Sequence, residues 1–385
     1  MSKEHTSSSD SANSLPVKTV GFIVNPIAGM GGVVGLKGTD GQSILDQARS
    51  LGSKPIAPSR AESFLSELCV ANKNLRLIVG AAEMGEDEAE RCGFTCTVVG
   101  VKKNVTGAED TKQTAEKIME QNVDLLVFCG GDGTARDVLK AVGTKLPVLG
   151  VPTGVKMHSS VFAVTPHAAA RVAMRFFWGD LPLREAEVMD VDEVAFRRGH
   201  VSAKLFGYVL TPYEPHLIQE NKLASPMTEN EVRNQAAIAI YIIEKMMPNI
   251  VYVMGPGTTT RTIFDLLDLK KTLLGVDLLF DKKIVCVDAN EKQILEYLKE
   301  KKSKIIVTPI GGQGFIFGRG NQQISPVVIR KIGLDNIVVI ATESKLRSLK
   351  SLRVDTGDSS LDDALRNRSF NVISDYKSEH LMQVE

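Results

Sequence analysis

The stretch Leu125–Asp137, LLVFCGGDGTARD, constrains the fold more than any other part of the chain. Leu125, Leu126, Val127, Phe128 and Cys129 form an apolar run of the length expected for a buried strand. The run breaks at Gly130-Gly131-Asp132-Gly133-Thr134, and a helical pattern is expected from Thr134 through Asp137, Val138, Leu139 and Val142. A strand, a tight glycine turn and a helix start present backbone N–H groups to a phosphate. Glycines let a ligand approach the backbone with no Cβ in the way. The carboxylate among them is the unusual part, because an anion adds nothing to a turn that only holds phosphate. It is needed where a hydroxyl is deprotonated or a divalent ion organised beside a phosphoryl group. Asp132 is therefore the candidate catalytic residue. Local chemistry also admits a plain strand-to-helix turn capped by Thr134.

Before this stretch, Lys18–Val24 reads as a strand that ends in Asn25-Pro26-Ile27-Ala28-Gly29-Met30-Gly31-Gly32. Helices are expected over Ile44–Leu51 and Ala61–Asn72, strands over Leu75–Gly80 and Thr95–Val99, and a helix through Gln121. A strand at Val148–Val151 leads into Pro152-Thr153-Gly154-Val155-Lys156-Met157-His158-Ser159-Ser160. Strands alternating with helices imply a parallel, doubly wound α/β sheet, whose ligands lie beyond the carboxyl ends of the strands. Three small-residue loops then share one rim. Asn25, Gly130, Gly131, Gly133, Thr134, Gly154 and Lys156 are the candidate nucleotide-binding residues on it. Lys156 also reads as an exposed loop lysine, and His158 as a structural hydrogen-bonder.

The pattern changes near 166–182. Glu187–Phe196 alternates polar and apolar residues and Phe206–Leu210 is strand-like, as in a half-solvated antiparallel sheet. Expected domains are a disordered tail over 1–16, an α/β nucleotide-binding domain over 17–166 and a β-rich substrate domain over 167–335. A C-terminal strand and tail over 336–385 would pack back on the first domain. Glu229–Met247 should be helical and Ile250–Met254 a strand. Gly255-Pro256-Gly257-Thr258-Thr259-Thr260-Arg261 follows, where three hydroxyls beside an arginine at a helix start suit an anion. After a β-α-β unit, Gly311-Gly312-Gln313-Gly314 and Arg319 lie in the richest glycine stretch, read equally as a phosphate or carboxamide contact and as a hinge. Asn336–Ala341 is the last strand expected.

Whole-chain properties narrow the function. Lys+Arg and Asp+Glu balance at 46 each, so no net field points to nucleic acid or an anionic membrane. No apolar run approaches the roughly 18–20 residues that span a bilayer. The N-terminus lacks the apolar core of a secretory signal. The five cysteines are scattered and complete no metal set, so free thiols in a reducing cytoplasm are expected.

The opening VNPIAG, the GGDGT turn, the GVPTG loop, the V-D-E-V-A strand and the segment TPIGGQGFIFGRGNQQISP together resemble the ATP-NAD kinase-like family, in the longer branch that includes the acetoin-catabolism X protein. The resemblance covers roughly 17–345, and GGDGT alone is shared with diacylglycerol and sphingosine kinases. It implies an NAD-kinase-like second domain and phosphorylation of NAD at the 2′-hydroxyl of its adenosine ribose, with ATP and Mg²⁺, giving NADP. It further implies that Asp132 accepts or aligns the hydroxyl proton and that Asp192 and Glu193 hold the adenosine side. Asp192 stands where the family has Asn, and a carboxylate cannot donate as an amide does. Gly257, Thr258, Thr259, Thr260 and Arg261 resemble the family's threonine-rich loop, and Gly312 and Gln313 lie in the branch-specific segment. A homo-oligomer in the cytoplasm, with nucleotides as its ligands and neither nucleic acid nor membrane as partner, is the corresponding expectation. A lipid kinase and a non-catalytic nucleotide-binding regulator are the alternatives.

Overall fold

The computed structural model of the protein describes residues 17–31, 42–71, 75–153, 157–191, 203–215, 217–219, 229–272, 274–310 and 313–385. Its first unit is built on strands whose sequences leave them little choice. β1 (Lys18–Val24), β2 (Leu75–Gly80), β4 (Leu125–Gly130) and β5 (Val148–Pro152) are short apolar runs buried on both faces, the mark of a parallel sheet covered by helices. With β3 (Cys96–Val99) they form a parallel sheet in the order β3-β2-β1-β4-β5. Helices α1 (Gln42–Ser50), α2 (Ala57–Ala71), α3 (Glu86–Arg91), α4 (Ala108–Met119) and α5 (Asp132–Val142) connect or flank the strands. Sequence order reverses between β1 and β4, the switch point at which such sheets bind ligands.

Helix α6 (Pro166–Phe177) was not expected, although its start is written in the chain. Thr165 accepts from the Ala168 N–H as N-cap, and Pro166 occupies the first helical position, where its missing donor costs nothing. The helix packs on α2 in the same core. The antiparallel pair β6 (Leu183–Val191) and β7 (Ala203–Pro212) follows. Its Ala186, Val188 and Val209 are buried with Ala135, Val138 and Val142 of α5. The hairpin therefore packs on α5 of the first unit.

The second unit begins with α7 (Glu229–Lys245) and β8 (Ile250–Met254), followed by α8 (Thr258–Leu266), β9 (Asp277–Phe280), β10 (Lys283–Cys286), α9 (Glu291–Tyr297) and β11 (Lys302–Val307). After β12 (Phe315–Phe317), α10 (Pro326–Ile332) and β13 (Ile337–Val339), the chain adds α11 (Glu343–Arg347), β14 (Arg353–Val354), α12 (Ser359–Arg366), β15 (Ser369–Asp375) and β16 (Ser378–Gln383). A mixed sheet in the order β10-β9-β8-β11-β13 forms its centre, β8, β11 and β13 being parallel. The region is strand-rich with mixed and antiparallel sheets, as expected. Residues 336–385 mostly join its core, through Leu352, Leu361, Phe370 and Val372. They reach the first unit at Asp355, which pairs with Arg60 of α2. All five cysteines are free thiols. Among the described residues no helix is long and apolar enough to cross a membrane.

Candidate active site

At the switch point the loops after β1 and β4 are bonded to each other. The Asn25 N–H donates to the Cys129 carbonyl at 2.9 Å. The Asn25 amide Nδ2 donates to Thr134 Oγ1 at 2.9 Å, and its Oδ1 accepts from the Ile27 N–H at 3.3 Å. Asn25 thus uses both ends of its amide to fix the VNPIAG turn against the GGDGT turn. Helix α5 starts at Asp132, two residues before the expected Thr134, and its N-cap is Gly131. Thr134 is the third helical residue, not the cap, and its Oγ1 receives the Gly131 N–H at 3.4 Å. Gly130 is required by this packing, since a Cβ there would lie 2.5 Å from the Thr134 Cβ and Oγ1. A Cβ on Gly131 would meet nothing within 4 Å, so the space on that side of the turn is open where the helix starts.

Asp132 is held by the loop after β5. Its Oδ2 accepts from the His158 N–H at 2.8 Å, and its Oδ1 from the Ser159 N–H at 2.9 Å and Ser159 Oγ at 2.6 Å. Ser159 is fully buried, and its Oγ also lies 3.0 Å from the Met189 N–H and carbonyl on β6. The carboxylate is thereby oriented by three strands' worth of structure. Ser159 serves Asp132 instead of meeting phosphate, and His158 gives the carboxylate its backbone N–H. Sequence reasoning missed Thr153, whose buried Oγ1 has no hydrogen-bond partner and whose N–H donates to the Gly130 carbonyl at 3.2 Å. An unsatisfied hydroxyl at this rim is an acceptor or donor open to a ligand. Its signal was its place, at the end of a buried strand beside two glycine loops.

The second threonine-rich loop opens α8. Gly257 is the N-cap at φ 127°, a conformation that favours glycine, and a Cβ there would lie 2.5 Å from Thr308 Cγ2. Thr258 is the first helical residue, whereas Thr259 and Thr260 are buried. The Thr260 hydroxyl lies 2.9 Å from both the Gly255 and Gly257 carbonyls, bracing the turn from inside. Arg261 is half exposed and lies 3.8 Å from Asp265 along its own helix. The expected cluster of three outward hydroxyls is thus reduced to Thr258, with Gly257 and the helix N-terminus beside it. A cation that sequence reasoning missed stands next to this loop. Lys345 Nζ donates to the Pro309 carbonyl at 2.6 Å and lies 3.5 Å from Thr308 Oγ1, and burial lowers its pKa to about 8. In the neighbouring turn, Gln313 Nε2 is buried without a partner. Among the described residues no three His, Cys, Asp or Glu side chains group as a metal site. Gly154, Lys156, Asp192, Glu193 and Gly312 lie outside the described residues.

Residues 20–181 match the family described as ATP-NAD kinase N-terminal domain, and residues 247–384 match the ATP-NAD kinase C-terminal domain. The chain belongs to the ATP-NAD kinase family. The membership brings kinase-type phosphotransfer with it, and the use of ATP and NAD that the family implies. Among solved structures, a diacylglycerol kinase from Bacillus anthracis str. Sterne is similar at 13% identity, over 53% of this chain and 69% of that one. Its TM-score of 0.23 is too low to carry an argument about fold or substrate. No curated protein matches the chain. The two ATP-NAD kinase domains contain the two glycine loops just described, GGDGT in the first and GPGTTTR in the second. The V-D-E-V-A segment falls between the two matched regions.

Proposed function

We propose that the protein is an NAD kinase that transfers the γ-phosphoryl group of ATP to the 2′-hydroxyl of the adenosine ribose of NAD. The observation that carries the reading is the carboxylate of Asp132, fixed at the switch-point rim beside an open helix N-terminus in a chain of this family. The hydroxyl would donate to Asp132, which aligns it and takes its proton as the new O–P bond forms and the bond from the γ-phosphorus to the departing ADP breaks. Phosphate oxygens would take backbone N–H groups at the start of α5 and the Thr153 hydroxyl at the first rim. The α8 N-terminus and Lys345 would offset charge at the second. Asp132 is the described carboxylate of this turn that would stand beside a Mg²⁺ carried on the triphosphate, and the ion would supply neutralisation of phosphate charge. Positioning and electrostatics supply most of the rate in reactions of this kind.

The test is a substrate panel: purified protein with ATP and Mg²⁺, offered NAD, NADH, diacylglycerol and sphingosine separately. NADP formation from NAD, with the lipids untouched, is the expected result. Phosphorylation of a lipid without NADP would overturn the proposal, and so would NAD binding with no turnover on ATP or polyphosphate.

A further inference from the structure

The segment GFIFGRGNQQ, the most family-specific stretch of the sequence, does not present its arginine to a rim. Arg319 is 6% exposed and lies in a contact between the two units with Arg60 (8%) and Asp355 (7%). Arg319 Nε donates to Asp355 Oδ2 at 3.4 Å, and its Nη2 donates to the Val164 carbonyl of the first unit. From the opposite side Arg60 donates through Nη1 to Asp355 Oδ1 and through Nη2 to the Asp355 carbonyl at 3.3 Å. Burial works against the carboxylate, yet Arg60 and Arg319 hold the Asp355 carboxyl below the usual carboxylate range.

The residues around this triad tie it to both rims. Gly318, at φ 83°, lets Asp355 lie against the segment, because a Cβ there would run into the Asp355 carbonyl. Phe315 is buried in the core of the first unit, while Ile316 and Phe317 are buried in that of the second. Asn321 Nδ2 braces the turn by donating to the Ile316 carbonyl at 2.8 Å. Arg60 sits in the first turn of α2, whose Ala57 carbonyl receives the Cys129 thiol at 3.4 Å, and Cys129 directly precedes Gly130. In the other direction, Phe315 follows within eight residues of Val307, the end of β11 beside the α8 loop.

We propose that Arg319 is a positioning residue for phosphoryl transfer, which with Asp355 and Arg60 sets how the unit that carries Asp132 is held against the unit that carries Thr258. The inference rests on the kinase reading above. Arginine suits the task because its planar fork reaches acceptors on both units at once, which a single ammonium cannot do. Transfer depends on alignment, and a displacement of about 1 Å can cost about a hundredfold.

The experiment compares wild type with Arg319→Lys, and with Arg319→Gln should the lysine variant fail to fold. Single-turnover NADP formation with enzyme in excess separates rate from amplitude. A rate constant lowered by about tenfold or more at unchanged amplitude is expected. A lowered amplitude at unchanged rate means that the residue only holds the fold, and overturns the proposal. Scanning calorimetry reads the joint without reference to substrate: wild type should unfold in one transition and the variant in two. A single transition in both overturns the joint. If wild type forms no NADP the NAD kinase reading fails, and calorimetry alone then decides whether Arg319 couples the units.

Discussion

Gly130 and Gly131 are neighbours in one turn, but they are needed for different reasons. At Gly130 the constraint is the adjacent Thr134 side chain, which a Cβ would strike. Gly130→Ala should push Thr134 off its bond to Asn25, costing about 1–3 kcal/mol of stability together with most of the activity. At Gly131 the space is open, so Gly131→Ala should cost no more than the loss of a glycine N-cap, less than about 1 kcal/mol, and raise KM for the nucleotide. Calorimetry with steady-state kinetics on both variants checks the pair, and equal stability losses would contradict the phosphate role of Gly131. A second residue-scale prediction concerns Glu88, which is 1% exposed and has its Oε2 buried without a partner. Burial pushes its pKa up to about 7, with Arg91 opposing. The folded state therefore holds this proton more tightly than the unfolded chain. The stability it contributes is complete below about pH 4.5 and is lost as pH rises through 7. Glu88→Gln should match wild type at pH 4.5 and exceed it by up to about 3 kcal/mol at pH 8 in urea unfolding. A constant difference across that range would show that the charge is not the cause. Asp132 stands out in the sequence because an anion adds nothing to a turn that only holds phosphate. Its restraints at His158 and Ser159 were not, being tertiary contacts across 26 and 27 residues. Arg319 was misleading for a related reason: an arginine among glycines reads as an anion site until its carboxylate, 36 residues on, is seen beside it.

At the scale of elements, the buried strands of the first unit were written plainly, since continuous apolar runs between glycine turns leave few alternatives. The C-terminal hairpin was not expected from the sequence, in which Asn336–Ala341 reads as the last strand. The alternation was nevertheless present: Phe370 and Val372 are buried while Asn371 is exposed, the two-residue period of a strand with one face on the core. Flanking charges at Arg366, Arg368 and Asp375 obscured it. Phe370→Ala should destabilise the protein by about 3 kcal/mol, and Asn371→Ala by less than about 0.5 kcal/mol. Similar losses at both positions in chemical denaturation would mean that β15 does not seat its Phe370 face in the core. The start of α6 was also available, in the threonine cap and following proline of Thr165-Pro166.

On the scale of the whole molecule, two sheets each carry a glycine loop at the carboxyl end of a central strand, β4 in one and β8 in the other. The sequence announced both loops, and the family matches span both units. What it could not announce is their joining, which depends on Arg60, Arg319 and Asp355 meeting from distant parts of the chain. The central claim is that Asp132 carries out chemistry on a hydroxyl of NAD. The most direct measurement follows label from [γ-³²P]ATP into NAD for wild type and Asp132→Asn, with NAD binding measured on each by calorimetry. The account predicts label at the 2′-phosphate of NADP for wild type, and a loss of about a hundredfold or more in the variant with NAD still bound. Equal labelling by both proteins would contradict it.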